Sequence, residues 1–208
     1  MNSTQTQPTY IIRPMQSGEI DAVANFIARG YLEDTYFHWV VNKPEDRIPT
    51  VSEYYKIYLG YNRAIVNVSV LQSGEKAGEI VGASIWMPHN TDPTLYDNID
   101  SVVGAYAPNF RAVADWSHSN EPKGMPFYQL VAIVASPIMR GTGIGTTLLG
   151  YQIEKFDTQN IATYLEASTA FHGGGLYGKF GYSPFGNIKK FAENAILYPL
   201  FRNAKSYD

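Results

Sequence analysis

The chain of 208 residues contains no cysteine, which excludes disulfides, thiolate nucleophiles and zinc sites built from cysteine. No apolar run approaches the ~18 residues that cross a bilayer. The polar start of the chain also lacks the basic and then apolar order of a secretory signal. The net charge of -3 provides no basic surplus for wrapping nucleic acid. We therefore expect a cytoplasmic protein that has no membrane or nucleic-acid partner.

The residues that are present have the composition of an ordinary globular domain. Hydrophobic residues make up 45% of the chain and charged residues 17%, which is enough apolar material to bury a sizeable core. No repeat, low-complexity segment or linker divides the sequence. We therefore expect one domain over residues 10–202, preceded by a flexible leader over residues 1–9.

The N-terminal half contains one clear helical stripe and several β-branched runs. A helix capped by Ser17 is predicted, because apolar residues follow at i, i+3, i+4, i+7 and i+8 spacing. That stripe consists of Ile20, Val23, Ala24, Ile27 and Ala28. A second helix is predicted over residues 49–59, and residues 92–116 are expected to be partly helical. Strands are predicted over residues 10–13, 64–71 and 79–87.

The C-terminal half alternates strand and helix patterns around a glycine-rich turn. Residues 127–135 form a nearly continuous apolar run, whose length is typical of a strand buried on both faces. The other predicted elements are a helix over 143–158, a strand over 161–167, a short helix over 176–180 and two strands near 182–190 and 195–202. This order predicts an α+β fold with a sandwich-like layering of helices on a sheet.

The turn between the apolar strand and the next helix carries the chemistry. Glycine at 141, 143 and 145 allows positive φ angles and a close approach of the backbone to a ligand. Successive amides then point into one concavity, which the positive end of the following helix also faces. Arg140 adds a fixed charge. The segment therefore predicts an anion cradle of pyrophosphate size.

Other glycine motifs do not fit this sequence. A Walker A loop needs Lys after its last Gly, but Thr146 and Thr147 follow here. A dinucleotide fingerprint needs a third Gly where Thr146 stands. The run His172-Gly173-Gly174-Gly175 could suggest a hydrolase oxyanion loop, yet the chain has no G-x-S-x-G nucleophile elbow.

Several motifs in order give the chain its resemblance to a known family. The run from Ser136 to Gly145 resembles the acetyl-CoA signature of the GCN5-related N-acetyltransferases (GNAT), written [Q/R]-x-x-G-x-[G/A]. The opening YIIRP, the strand VGASIWMP and the pair LEAS and LYGKFGY are also similar to motifs of that family. The resemblance covers roughly residues 10–202. It implies the GNAT fold, a mixed and mostly antiparallel sheet of about seven strands flanked by helices, with a split between strands 4 and 5.

The resemblance also implies an activity, the transfer of an acetyl group from acetyl-CoA to an amine of a small molecule or peptide by direct attack. The protein would be a monomer or homodimer. Coenzyme A would lie in the split, with its pantetheine arm along Ile133 and Ala135, and Tyr177 would be the general acid. The amide near Ala135 would polarise the thioester carbonyl. The implied cofactor contacts are Ile133, Val134, Ala135, Arg140, Gly141, Thr142, Gly143, Ile144, Gly145, Thr146 and Tyr177.

The sequence departs from the family pattern at three positions. Ala170 replaces a frequent Asn, Ala135 replaces a Val, and Phe127 stands where a His is often found. The strand over 127–135 contains no carboxylate, so Glu166 in the neighbouring strand is the candidate general base. A water chain to solvent is the alternative.

Aromatic residues are candidates for the wall of the acceptor pocket, which would suit a cationic or hydrophobic amine. The pocket residues that we expect are Trp86, Phe37, His38 and Tyr128. No cluster of residues has metal-ligand spacing, so no metal is expected. The competing hypothesis is a GNAT-fold module that binds acyl-CoA with little or no turnover.

Overall fold

The computed structural model describes residues 9–205, apart from the side chain of Pro93. Residues 1–8, nearly all of the expected leader, lie outside the described residues. The strands are β1 (Tyr10–Pro14), β2 (Ile65–Leu71), β3 (Ile80–Pro88), β4 (Phe127–Ala135), β5 (Ala162–Ala167), β6 (Ser183–Pro184), β7 (Lys189–Ala192) and β8 (Ala195–Arg202). The α-helices are α1 (Ile20–Gly30), α2 (Thr35–Val40), α3 (Pro44–Leu59), α4 (Ile99–Val103), α5 (Ala107–Asn120), α6 (Ile144–Thr158) and α7 (Leu176–Lys179).

The strands form one open sheet in the order β1-β2-β3-β4-β5-β8-β6, and β7 pairs with β8 outside this path. The pairings are antiparallel except for β4 with β5, which is parallel. The mixed sheet of the expected fold is thereby confirmed. The strand predicted near 182–190 divides into β6 and β7, because a turn interrupts it, and the sheet therefore has eight strands instead of about seven.

Helices cover both faces of the sheet. On one face, α1 and α3 pack on Val68, Ile85 and Val134, and the predicted stripe of α1 supplies four buried residues, Val23, Ala24, Ile27 and Ala28. On the other face, α6 packs through Leu149, Ile153 and Phe156. Burial of apolar surface on both sides, at roughly 25 cal/mol per Å², holds the sheet between the two layers.

Two helix starts differ from the sequence prediction. Helix α3 begins at Pro44 rather than Pro49, because proline is well accommodated in a first helical turn. Pro49 lies inside that helix. Ser17 does not cap α1. It starts a short 3₁₀ turn, and the Glu19 carboxylate accepts from the Gln16 amide at 2.8 Å.

The two central strands separate along their length. Strand β4 pairs with β5 only from Phe127 opposite Ala162 to Leu130 opposite Leu165. Beyond Leu130, β4 keeps its pairing with β3 as far as Ala135, so residues 131–135 have no β5 partner. The split expected between strands 4 and 5 is therefore present, and it leaves one edge of β4 free to pair with another group.

The last strand is fixed to α6 by a buried ion pair. Arg202 donates to both carboxylate oxygens of Asp157, at 2.7 and 2.6 Å, and to the carbonyl oxygen of Phe180 at 2.6 Å. Both charged side chains are almost fully buried.

Along residues 9–205, none of the helices combines the length and the apolar character required to cross a membrane.

Candidate active site

A cavity of about 1070 Å³ lies at the open end of the β4/β5 split. Helices α2 and α3 and the residue that follows α1 contribute aromatic side chains, while α5 and β5 contribute polar ones. The Tyr and Phe residues in the lining are Tyr31, Tyr36, Phe37, Tyr54, Tyr55, Tyr58, Tyr96 and Tyr177. The carboxylates in the lining are Asp34, Asp97, Asp115, Glu121 and Glu166.

The aromatic wall follows from the local sequence of α3. Tyr54, Tyr55 and Tyr58 lie within one helical turn, so their rings project toward the same side of the helix. The Tyr31 ring stacks on Phe37, with centroids 4.9 Å apart, and on Tyr55 at 6.0 Å. These contacts hold the rings in a fixed arrangement and make this side of the cavity an aromatic wall.

Glu166 in β5 presents a carboxylate to this cavity. Its Oε1 accepts from Ser117 at 2.7 Å and from Tyr164 at 2.9 Å, and among the described residues no group donates to Oε2. Burial raises the pKa of Glu166 to about 7, although the two hydrogen bonds act in the opposite direction. The carboxyl group can therefore take up or release a proton near neutral pH.

Tyr177 lies at the start of α7 and lines the same cavity. Its ring packs edge-on against Tyr182, with centroids 5.9 Å apart. Burial raises the pKa of Tyr177 to about 12. The phenol is therefore protonated at neutral pH and can donate a proton or a hydrogen bond.

The free edge of β4 is contacted by Tyr31, which follows α1. The Ile133 amide donates to the Tyr31 hydroxyl oxygen at 3.2 Å, and the Tyr31 hydroxyl donates to the Ile133 carbonyl oxygen at 3.5 Å. Ile133 is three residues beyond the last β4–β5 pair. One side chain thus satisfies both backbone groups that a further strand would otherwise pair.

The glycine-rich turn leads from β4 into α6. Gly141 and Gly143 have φ angles of 80° and 79°, which disfavour a side chain at either position. Among the described residues, no group accepts from the amides of Gly141 and of residues 143–146. Arg140 is exposed and makes no ion pair with any described residue. The turn therefore presents free donors and a positive charge at the start of a 15-residue helix.

Solved structures with a similar architecture are acetyltransferases. A histone acetyltransferase HPA2 and related acetyltransferase from Corynebacterium glutamicum superposes with a TM-score of 0.69 and 22% identity, over 97% of this chain and 99% of that chain. Arylalkylamine N-acetyltransferase 2 from Aedes aegypti superposes with a TM-score of 0.69 and 13% identity, over 95% of this chain and 100% of that chain. Polyamine N-acetyltransferase from Drosophila melanogaster superposes with a TM-score of 0.60 and 14% identity, over 93% of this chain and 97% of that chain. The chain has the GNAT fold. By sequence, it matches no protein-family model and no curated protein.

Seen as a GNAT fold, the structure brings some of the predicted site residues together. Phe37, Glu166 and Tyr177 line one cavity with Ile133. The cradle residues 140–146 lie between β4 and α6 and in the first turn of α6, where the signature places them.

Three of the predicted pocket residues do not line this cavity. Trp86 is fully buried on the α6 face, against Phe156 with centroids 5.2 Å apart. Tyr128 stacks on the same Phe156 at 4.7 Å. His38 contacts the Leu32 carbonyl oxygen at 2.8 Å through Nε2 and does not line the cavity. Strand alternation sends Trp86 and Tyr128 to the face opposite the cavity.

Sequence reasoning missed the contributions of Tyr31, which follows α1, and of α5. Tyr31 and Ser117 lie far along the chain from their partners Ile133 and Glu166, so no local pattern indicates the contacts. A usable signal was the density of tyrosine at helical spacing in residues 54–58. Among the described residues, no group of three or more histidine and carboxylate side chains is arranged to hold a metal ion.

Proposed function

We propose that this protein is an acetyl-CoA-dependent N-acetyltransferase that acts on an amine. The observation that carries the proposal is the placement of Glu166 and Tyr177 in one cavity beside the free edge of β4. One group is poised to accept a proton near pH 7, and the other is protonated. The GNAT fold, together with acetyltransferase activity in the similar structures, supports the same function.

The turn and the strand edge fit coenzyme A. The free amides of residues 143–146 and the positive end of α6 suit a pyrophosphate, and Arg140 adds charge. Pantetheine contains two amide groups, which can pair with the free edge of β4 at Ala135 and Ile133 as a strand would. Coenzyme A would run from the turn back along β4, so its thioester end would lie beside Ile133, beyond Ala135. We therefore place the amide that polarises the thioester at Ile133, two residues before the position indicated by the sequence.

The transfer is a direct attack. The amine, after losing a proton to Glu166, attacks the thioester carbonyl carbon to form a C–N bond, and the carbonyl electron pair moves onto oxygen. The intermediate then collapses with cleavage of the C–S bond. Tyr177 donates its proton to the departing coenzyme A thiolate, the excess proton on the new amide nitrogen is released to solvent, and the Tyr177 phenolate takes a proton back from solvent. General acid and base assistance of this kind contributes about 10²–10⁴-fold each.

The acceptor that best suits the cavity is a cationic amine. Tyrosine faces attract an ammonium group, and five carboxylates line the cavity. Arg111, the arginine in the lining, is paired with Asp100, so its charge is largely compensated. An arylalkylamine or a polyamine would suit these features, and these are the acceptors named for two of the similar structures.

Calorimetric titration with acetyl-CoA tests the proposal, combined with turnover assays on wild type and Glu166→Gln. The proposal expects saturable binding by both proteins and turnover that falls sharply in the variant. Binding by both proteins without turnover of any amine would instead support an acyl-CoA-binding module. Absence of binding by the wild type would overturn both functions.

A further inference from the structure

The Tyr31 hydroxyl occupies the position that a ligand of β4 would take. It bridges the amide and the carbonyl of Ile133, at 3.2 and 3.5 Å, on the edge that faces away from β3. A group that pairs with this edge must take the Ile133 amide from Tyr31. In the proposed function, that group is the acyl end of the thioester.

The Tyr31 ring has little room to withdraw. It is stacked on Phe37 and Tyr55, and it follows directly on α1, where its own amide donates to the Ile27 carbonyl at 3.2 Å. A hydroxyl displaced from the Ile133 amide therefore stays close to the atom that replaces it. An oxygen that accepts from this amide would lie within reach of the phenol as a second donor.

Charge and protonation suit such a donor. Burial raises the pKa of Tyr31 well above its usual value, and the nearby Tyr177 and Asp34 act in the same direction. The phenol thus keeps its proton in the pH range where transfer would occur. It can donate to an oxygen on which negative charge develops, as a preorganised group in a partly enclosed site.

We propose that Tyr31 is a further catalytic residue, whose O–H joins the Ile133 N–H in holding the thioester carbonyl oxygen. This inference rests on the proposed acetyl transfer. When the amine attacks, the carbonyl electron pair moves onto this oxygen, and the two donors stabilise its charge. They release the oxygen when the carbonyl re-forms and the C–S bond breaks. No proton of Tyr31 is transferred in the step.

The test is the carbonyl stretching band of acetyl-CoA labelled with ¹³C at the thioester carbonyl, recorded by infrared difference spectroscopy. The protein is the Glu166→Gln variant, in which turnover is slowed, with and without Tyr31→Phe. Phenylalanine keeps the stacked ring, so the fold is retained. We expect a shift of the bound band to lower frequency than in free acetyl-CoA, and a smaller shift after Tyr31→Phe.

Steady-state rates of single variants complete the test. Tyr31→Phe should lower kcat by about 10²-fold, as expected for loss of one oxyanion donor, with little change in the Kd for coenzyme A. Tyr106→Phe is the matched control, because it loses a tyrosine hydrogen bond to Asp46 outside the cavity, and its kcat should equal that of wild type.

Two results would overturn the role of Tyr31. An unchanged carbonyl band with unchanged kcat and tighter coenzyme A binding would mean that the hydroxyl only fills the empty edge. Equal losses in stability, binding and turnover would mean a structural role. If acetyl-CoA fails to bind at all, the proposed function itself fails, and that outcome is distinct from either result.

Discussion

Ser117 Oγ donates to Glu166 Oε1 at 2.7 Å and thereby joins α5 to the middle strands of the sheet. The Tyr164 hydroxyl donates to the same oxygen at 2.9 Å. Because both donors use Oε1, the second oxygen is left for a ligand. Helix α5 therefore forms a wall of the cavity and also orients the carboxylate that we assign as the base.

Replacing Glu166 by Gln should lower kcat by about 10²–10⁴-fold. Glutamine can still accept from Ser117 and Tyr164 through its carbonyl oxygen, so circular dichroism should show an unchanged fold. The exposed Glu154 on α6 provides a matched control, and Glu154→Gln should retain wild-type turnover. Full activity in Glu166→Gln would remove Glu166 from the mechanism.

The rate should depend on pH through the same carboxylate. Because burial raises the pKa of Glu166 to about 7, kcat at saturating amine should rise as pH increases through about 7 and the base loses its proton. In Glu166→Gln this rise should disappear. The raised pKa also means that the folded state binds the proton more tightly than the unfolded state, so ionisation of Glu166 lowers stability as pH rises. In urea unfolding, the free energy of unfolding of the Gln variant should therefore increase relative to that of wild type between pH 4.5 and 8.

Ser117→Ala should move the acid side of the kcat profile to higher pH. The hydrogen bond from Ser117 lowers the pKa of Glu166, and alanine removes it without disturbing α5, since alanine favours helix. Ser117→Thr should restore the profile, because threonine supplies the same hydroxyl. A profile that does not move in the alanine variant would show that the bond has no bearing on the base.

A charge at the start of α6 should have opposite effects on folding and on binding. Thr146 is the third residue of that helix, where Asp stabilises the helix dipole by about 0.3–1 kcal/mol. Thr146→Asp should therefore raise Tm slightly, yet weaken acetyl-CoA binding through repulsion of the pyrophosphate. Thr146→Asn, nearly the same shape without the charge, should bind much better than Asp. Equal affinities of the two variants would argue against an anion site at this turn.

Asp157→Asn should destabilise the protein by about 3–5 kcal/mol, because it leaves the buried Arg202 without its counter-charge. Burial pushes the pKa of Asp157 up, but hydrogen bonds from Arg202 and the Lys205 amide outweigh it, so the pKa lies below its usual value. This stabilisation is present above the unfolded pKa and is lost as pH falls through the folded one. Urea unfolding curves of wild type and variant should therefore converge at acidic pH. The exposed control Lys76→Gln should unfold like wild type.

Local patterns predicted much of this fold. Strand β4 coincides with the predicted residues 127–135, and α6 starts one residue from its predicted position, since an apolar run and a glycine-rich turn are both short-range signals. The separation of β4 from β5 came only from the family resemblance.

The acceptor cavity was less predictable. The register of β3 with β4 shifts between the pairs Ile85–Ala132 and Trp86–Leu130 and skips Val131, and no local pattern signals such an irregularity. The contact of Tyr31 with Ile133 joins residues 102 positions apart. Such contacts depend on how α1 and α5 pack on the sheet, which residue spacing alone does not determine.

The most direct test of the central claim is release of free coenzyme A thiol from acetyl-CoA, followed with a thiol reagent across a panel of amines. The panel contains arylalkylamines, diamines, a short peptide and an acidic amino acid. The absence of cysteine means that the protein itself gives no signal. The proposed function predicts amine-dependent thiol release, matched by equal amounts of N-acetylated product and fastest with a cationic amine. Binding of acetyl-CoA without thiol release for any amine would contradict it.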